Sequence, residues 1–177
     1  MARYVALLVA FVIMIGIFVA GLNLDPSKLP SPLIDKPAPE YDLPRVKDPM
    51  LTIGSADYSG QLVLVNIWAT WCVGCRQEHD YLLDLAGRNE IPLYGINWRD
   101  QRAEALVWLQ QLGDPYVASA YDEDGRVGID WGVYGAPETF LVSAGGSVVY
   151  KHIGPIDESV WQGEFVPRIA EQRAASR

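Results

Sequence analysis

Cysteine is scarce in this chain: 177 residues contain two, Cys72 and Cys75, three positions apart. A scaffold stapled by disulfides spreads several cysteines along its length, so that class is excluded and the pair points to chemistry at one spot. Histidine is equally scarce, with only His79 and His152. Basic residues are in deficit, 14 Lys plus Arg against 22 Asp plus Glu, for a formal net charge of -8. An acidic chain has no electrostatic reason to hold a polyphosphate backbone, which argues against a nucleic-acid partner. Internal repeats and low-complexity tracts are missing too.

What is present begins with an apolar block. Tyr4 to Leu22, YVALLVAFVIMIGIFVAGL, carries no charge. At about 1.5 Å per residue such a helix covers close to 30 Å, the thickness of a bilayer's hydrocarbon core. Arg3 and the terminal amine sit on the short side, so the positive-inside bias places the N-terminus in the cytoplasm and the rest outside. Residues 1–22 are expected to be a single-pass membrane anchor. The rival reading is a cleaved signal peptide with a weak site near Val19-Ala20-Gly21, and both readings export the remainder. Residues 23–39 contain Pro26, Pro30, Pro32, Pro37 and Pro39 and read as an extended spacer. The globular domain is expected over residues 40–177, a size suited to one domain.

Within that domain, Gln61 to Trp68 and Ile91 to Trp98 are continuous apolar runs, as strands buried on both faces should be. Cys72 to Arg88 and Gln101 to Leu112 have helical apolar spacing. Tyr116 to Tyr121 reads as a short strand and Arg126 to Tyr134 as a short helix. Thr139 to Val142 and Ser147 to Ile153 flank Ala144-Gly145-Gly146, a hairpin signal, and Asp157 to Arg173 reads as a terminal helix. Buried strands separated by helices require right-handed crossovers, and the late hairpin adds antiparallel strands. The expected fold is α/β, a mixed β-sheet with helices on both faces, preceded by the transmembrane helix.

The cysteines lie in VLVNIWATWCVGCRQEHDYLL, a buried strand running through a short loop into a helix. Cys72 falls at the first helical turn, where unpaired N–H groups and the helix dipole favour a thiolate. Cys75, one turn later, faces back and can close a disulfide. Cys72 is then the nucleophile that forms a mixed disulfide with substrate, and Cys75 resolves it. Trp71 offers a flat contact surface over the sulfurs. A CxxC can also be half of a zinc site, with His79 and His152 the only other candidates, or an inert structural disulfide. Haem attachment would place His where Arg76 stands. Far along the chain, YGAPET sets Pro137 after a small residue and before a strand, a candidate cis peptide. A cis bond would turn the Ala136 backbone outward and offer a strand edge to an extended peptide.

Together WATWCVGCRQEH and YGAPETFLV resemble the thioredoxin superfamily. More narrowly, with the anchor and YKHIGPI, the chain resembles the membrane-anchored thiol:disulfide interchange proteins of cytochrome c biogenesis (the CcmG/DsbE type). The resemblance covers roughly residues 37–167. It implies a thioredoxin-like fold, a nucleophile at Cys72, a resolving cysteine at Cys75, a cis-proline at Pro137 and acidic residues near the sulfurs at Glu78 and Glu138. It implies an oxidoreductase of the bacterial inner membrane with its C-terminal domain in the periplasm. Electrons would come from a membrane thiol–disulfide carrier and go to the CxxCH cysteines of apocytochrome c, with no bound cofactor and no metal.

Two departures matter. Ordinary thioredoxins carry a buried Asp where this chain has Asn66, so Cys75 needs another base, with Glu78 or Glu138 acting through water as candidates. Gly74 between the cysteines is expected to loosen the first helical turn and to remove a side chain near Cys72. A carboxylate near Cys72 would also make it less acidic than the thiol of a strong oxidant. Competing functions are a broader exported reductase, a non-catalytic apocytochrome holdase, and copper delivery. Copper delivery on this fold would use CxxxC spacing and a distant His.

Overall fold

The computed structural model describes residues 2–22 and 31–175. Helix α1 (Ala2–Leu22) opens the chain, its apolar side chains such as Leu8 and Phe18 exposed. Among the described residues no helix is long and apolar enough to cross a membrane. The side chains of Ala2, Ala6, Ala20 and Leu22 lie outside the description, as do residues 23–30 with Pro26 and Pro30 of the expected spacer.

The domain then runs β1 (Asp42–Pro44), β2 (Thr52–Gly54), a 3-10 turn (Ser55–Tyr58), β3 (Val63–Trp68), α2 (Val73–Arg88), β4 (Leu93–Trp98), α3 (Arg102–Leu112), β5 (Ser119–Asp122), α4 (Arg126–Asp130), β6 (Glu138–Val142) and β7 (Val148–Ile153). It closes with α5 (Glu158–Val160), a π turn (Trp161–Phe165) and α6 (Val166–Ala175). The main sheet has five strands in the order β5-β4-β3-β6-β7. β3 pairs in parallel with β4, and β4 with β5, while β3–β6 and β6–β7 are antiparallel. All six residues of β3 and of β4 are buried, which is why their sequences run apolar without alternation.

Strand alternation divides the core. Leu64, Trp68 and Leu141 pack with Leu82 of α2, Leu109 of α3 and Phe165 near α6 on one face. Val63, Val65, Ile67 and Phe140 pack on the other with Ile53 of β2, Tyr58 and Trp131. Helices therefore cover the two faces unequally. Consecutive right-handed crossovers from β3 to β4 to β5 put α2 and α3 on the same side. The opposite face is closed by the β1–β2 hairpin, the 3-10 turn and short α4.

Two features depart from the sequence reading. The β1–β2 hairpin went unforeseen because each strand is three residues long and β1 ends in Pro44. The domain also begins before Glu40. Asp35 N–H donates to Val148 O (2.9 Å), Val148 N–H to Lys36 O (2.9 Å), and Ala38 N–H to Gly146 O (2.8 Å). With Leu33 and Ile34 packed against the core, this stretch covers the start of the outer strand β7, capping an otherwise unpaired edge.

Candidate active site

Topology brings four loops to one end of the sheet. β3 and β4 are parallel, so their C-terminal ends, Trp68 and Trp98, lie side by side. β6 is antiparallel to β3, so its N-terminal end, with Pro137 just before it, arrives at the same edge. The C-terminal end of β7 pairs there too, Ile153 opposite Glu138. The strand–loop–helix reading of the cysteines and the distant YGAPET motif thus meet in space.

Cys72 and Cys75 form a disulfide with their Cα atoms 5.3 Å apart. Cys72 is the N-cap of α2, in extended conformation, and its Sγ accepts a hydrogen bond from the Cys75 N–H (3.0 Å). A sulfur in that position takes the place of a capping oxygen, and a thiolate would take it more strongly. Both cysteines are buried, Cys72 4% and Cys75 3% exposed, so residue burial does not distinguish the two. The cap geometry does.

Pro137 follows a cis peptide bond from Ala136. It sits directly over the turn between the cysteines. A Cβ added to Gly74 would lie 2.7 Å from Pro137 Cδ and 3.3 Å from Pro155 Cγ. Glycine at position 74 was expected both to loosen the first helical turn and to remove a side chain near Cys72, and the second effect is the one the geometry uses. Its missing side chain is the space that the cis-proline ring occupies, and α2 runs unbroken through it.

Behind Cys75 lies a buried polar network. Asn66, fully buried on β3, donates from Nδ2 to Glu78 Oε1 (3.0 Å) and to Thr139 Oγ1 (2.9 Å), and accepts from the Tyr116 hydroxyl (2.7 Å). Glu78 is 1% exposed, and its other oxygen accepts from the Ile156 N–H (2.9 Å). Burial pushes its pKa up to about 7, although the Ile156 and Asn66 donors pull the other way. The carboxylate at this site thus stands on α2 one turn past Cys75, bonded to the Asn that replaces the usual Asp. Tyr116 and Thr139 were not anticipated from sequence. Thr139 stands opposite Asn66 only through the antiparallel β3–β6 pairing, a register set between strands far apart in the chain.

Glu138 occupies a different place. Thr139 points to the face that carries Glu78, so by alternation Glu138 points to the opposite face of the sheet, with Phe140. It is fully buried and paired with Lys151 (Oε2–Nζ 2.8 Å), and it accepts from the Tyr134 N–H (3.3 Å). Burial still raises its pKa, more than the Lys151 ion pair and these donors lower it. The two acidic residues grouped by resemblance are thus on opposite faces, and neither is a solvated surface charge.

The loop before Cys72 is held from β4. Asp100 accepts from the Thr70 N–H (2.7 Å) and hydroxyl (2.6 Å), from Asn97 Nδ2 (2.8 Å) and from the Gln101 N–H (2.8 Å). Trp71 stays 53% exposed, its Nε1 donating to Arg99 O (3.0 Å) and its ring 6.0 Å from Trp98. The indole is therefore a pinned, outward-facing plate. Asp100 also went unforeseen, its only signal being its place just past a buried strand. His79 is buried: its Nδ1 accepts from Trp108 Nε1 (3.3 Å), which leaves Nε2–H to donate to Gly113 O (3.1 Å). Burial lowers its pKa, and neither ring nitrogen offers a free lone pair to a metal.

The redoxin family profile matches residues 34–164. The chain is 53% identical over 163 residues to the thiol:disulfide interchange protein DsbE of Allochromatium vinosum, covering 88% of this chain and 90% of that one. It is 46% identical over 157 residues to the DsbE of Pseudomonas aeruginosa, covering 89% and 87%. Among solved structures, a secreted thiol-disulfide isomerase from Corynebacterium glutamicum superposes with a TM-score of 0.66 at 22% identity, over 75% of this chain and 85% of that one, a likeness of fold. The buried cysteine pair at the start of α2, facing a cis-proline, is the part of this fold that exchanges disulfides. The chain belongs to the redoxin family, among the DsbE (CcmG-type) thiol:disulfide interchange proteins, and is a thioredoxin-like thiol–disulfide oxidoreductase.

Proposed function

We propose that this oxidoreductase is a periplasmic reductant of cytochrome c maturation, anchored in the bacterial inner membrane by α1, whose substrate is the CxxCH disulfide of apocytochrome c. In the reduced protein, the Cys72 thiolate attacks one sulfur of the substrate disulfide. That S–S bond breaks, a Cys72–substrate bond forms, and the departing substrate thiolate takes up a proton. Cys75, having given up its proton, then attacks Cys72 and releases the second substrate thiolate, which is protonated in turn. Two electrons and two protons pass to the substrate, leaving the Cys72–Cys75 disulfide. A membrane thiol–disulfide carrier returns the electrons.

The observation that carries this reading is the network behind Cys75. Asn66 cannot accept the Cys75 proton, but Glu78, with its pKa raised to about 7, can hold one near neutral pH. Trp71, Ala136 and cis-Pro137 form the contact surface for an extended peptide. The charge-free apolar run from Tyr4 to Leu22 supports the anchor. Alkaline carbonate extraction of membranes is expected to leave the protein in the pellet. Release into the supernatant would replace the anchor with a cleaved signal.

The test of substrate is covalent trapping. The Cys75→Ser chain is offered a disulfide-closed CxxCH peptide beside an unrelated disulfide peptide, and adducts are quantified by mass. Preference for the CxxCH peptide through Cys72 is the expected result. Equal trapping would make the protein a broader reductase. No adduct with either would sink the mechanism and favour a holdase.

A further inference from the structure

The loop that carries the cis-proline is fastened from beneath by a buried ion pair, and the cation of that pair is a lysine. Lys151 lies on β7 with its side chain 4% exposed. Its Nζ ion-pairs with Glu138 (2.8 Å), donates to the carbonyl of Gly132 (2.9 Å), and sits 4.7 Å from the centre of the Tyr134 ring and 5.3 Å from that of Phe140. Glu138 in turn accepts from the Tyr134 N–H. Every one of these contacts except that to Phe140 falls on, or leads directly to, the segment 132–138 that contains Pro137.

We propose that Lys151 is a positioning residue for disulfide exchange: it holds the loop 132–137 at the height at which Ala136 and Pro137 meet a peptide docked on Cys72. Lys151 touches neither sulfur, so its effect passes through the loop alone. Buried charge is costly unless paired, and here one ammonium ion-pairs with a buried carboxylate and donates to a loop carbonyl. An apolar residue would fill the same volume beside Phe140 with no hold on Gly132 or Glu138. Tyr134, exposed at the loop's outer side, is fixed between its own N–H on Glu138 and its ring over the ammonium.

The proposal rests on the disulfide-exchange activity of the family and not on the cytochrome substrate. It predicts a loss that depends on the size of the substrate. An extended disulfide peptide needs the loop, whereas oxidised mercaptoethanol needs only the Cys72 sulfur. The full chain carrying Lys151→Met, reduced and in detergent, is expected to react with the peptide at least tenfold more slowly than the unchanged protein. Its rate with oxidised mercaptoethanol is expected to stay within about threefold. Lys151→Met leaves Glu138 as an unpaired buried charge, so the double change Glu138→Gln with Lys151→Met is measured alongside, with near-ultraviolet circular dichroism as the check on folding. Selective slowing in either folded variant supports the proposal. Equal slowing with both disulfides, no slowing, or loss of the fold in both variants would overturn it, because Lys151 would then serve the thiols or the fold in general. None of these outcomes depends on whether CxxCH is the preferred peptide.

Discussion

Replacing Cys72 with serine is expected to lower the rate of disulfide reduction by at least about three orders of magnitude, because the thiolate is the reacting species. Replacing Cys75 with serine should leave attack intact and stop the reaction at the mixed disulfide. The asymmetry does not come from residue burial, which is nearly the same for the two cysteines. It comes from position. Cys72 Sγ stands at the N-cap and receives the Cys75 N–H, while Cys75 lies within the first turn. Charge at a helix N-terminus is stabilised by roughly 0.3–1 kcal/mol, up to about 2 kcal/mol when partly buried, which is as much as tenfold or more in thiolate population. Glu78 reinforces the difference. It stands one turn beyond Cys75 and twice as far along the helix from Cys72, so its charge opposes a thiolate mainly at Cys75. The carboxylate effect expected on Cys72 therefore shifts toward the resolving cysteine, and Glu138, neutralised by Lys151 on the other face, adds little. The measurement is single-turnover trapping of a disulfide peptide by each reduced variant. An adduct on Cys75 in the Cys72→Ser chain would reverse the roles.

Much of this site could be read from the chain because its chemistry is local. VLVNIW has no solvated face, and that alone marks a central strand. WCVGC places the sulfurs at a helix start by spacing. Pro137 was readable as a cis candidate from its neighbours. What escaped depends on long-range register. Asn66 as a hub needs Thr139 across β6 and Tyr116 from the loop before β5, pairs separated by 73 and 50 residues. Glu78 was placed near the sulfurs by resemblance alone, and its burial and its bond to the Ile156 N–H, which arrives from beyond β7, are long-range features. The Glu138–Lys151 pair is a diagonal across the β6–β7 hairpin, in which Phe140 faces Lys151. That hairpin was expected, but a register shift between Leu141 and Val142 moves Lys151 from opposite Thr139 to opposite Phe140, so the turn alone would not have given the pair. The β1–β2 hairpin and the docked stretch 33–38 were hidden for another reason. Their hydrogen bonds are made by backbone, in segments whose prolines and charges look like linker.

The contribution of Glu78 to the stability of the oxidised protein is expected to fall as pH rises from about 4.5 to about 7. In the folded protein its pKa is pushed up to about 7 from an ordinary value of 4.5, chiefly by burial. Below pH 4.5 the group is protonated in both folded and unfolded chains and carries no penalty. Between the two values the unfolded chain has released the proton and the folded chain still holds it. The unfolded state then binds fewer protons, and this contribution decreases with pH. Across this window the loss is on the order of 3 kcal/mol, a large share of the 5–15 kcal/mol typical of a domain. Glu78→Gln isolates the effect from the other carboxylates. Both oxygens of Glu78 accept from donors, so an amide must turn its NH2 toward Asn66 or Ile156, at a cost of about 1–3 kcal/mol that does not vary with pH. The variant should therefore be less stable at pH 4.5, and the gap should close or reverse by pH 8. Denaturant melts of the two proteins across that range measure it, and parallel curves would remove Glu78 from the account. The same proton links stability to turnover. A carboxylate that titrates near 7, one turn past the resolving cysteine, is poised to take the Cys75 proton as the mixed disulfide resolves. In Glu78→Gln the resolution step should lose the pH dependence centred near 7, while the attack by Cys72 should keep its own.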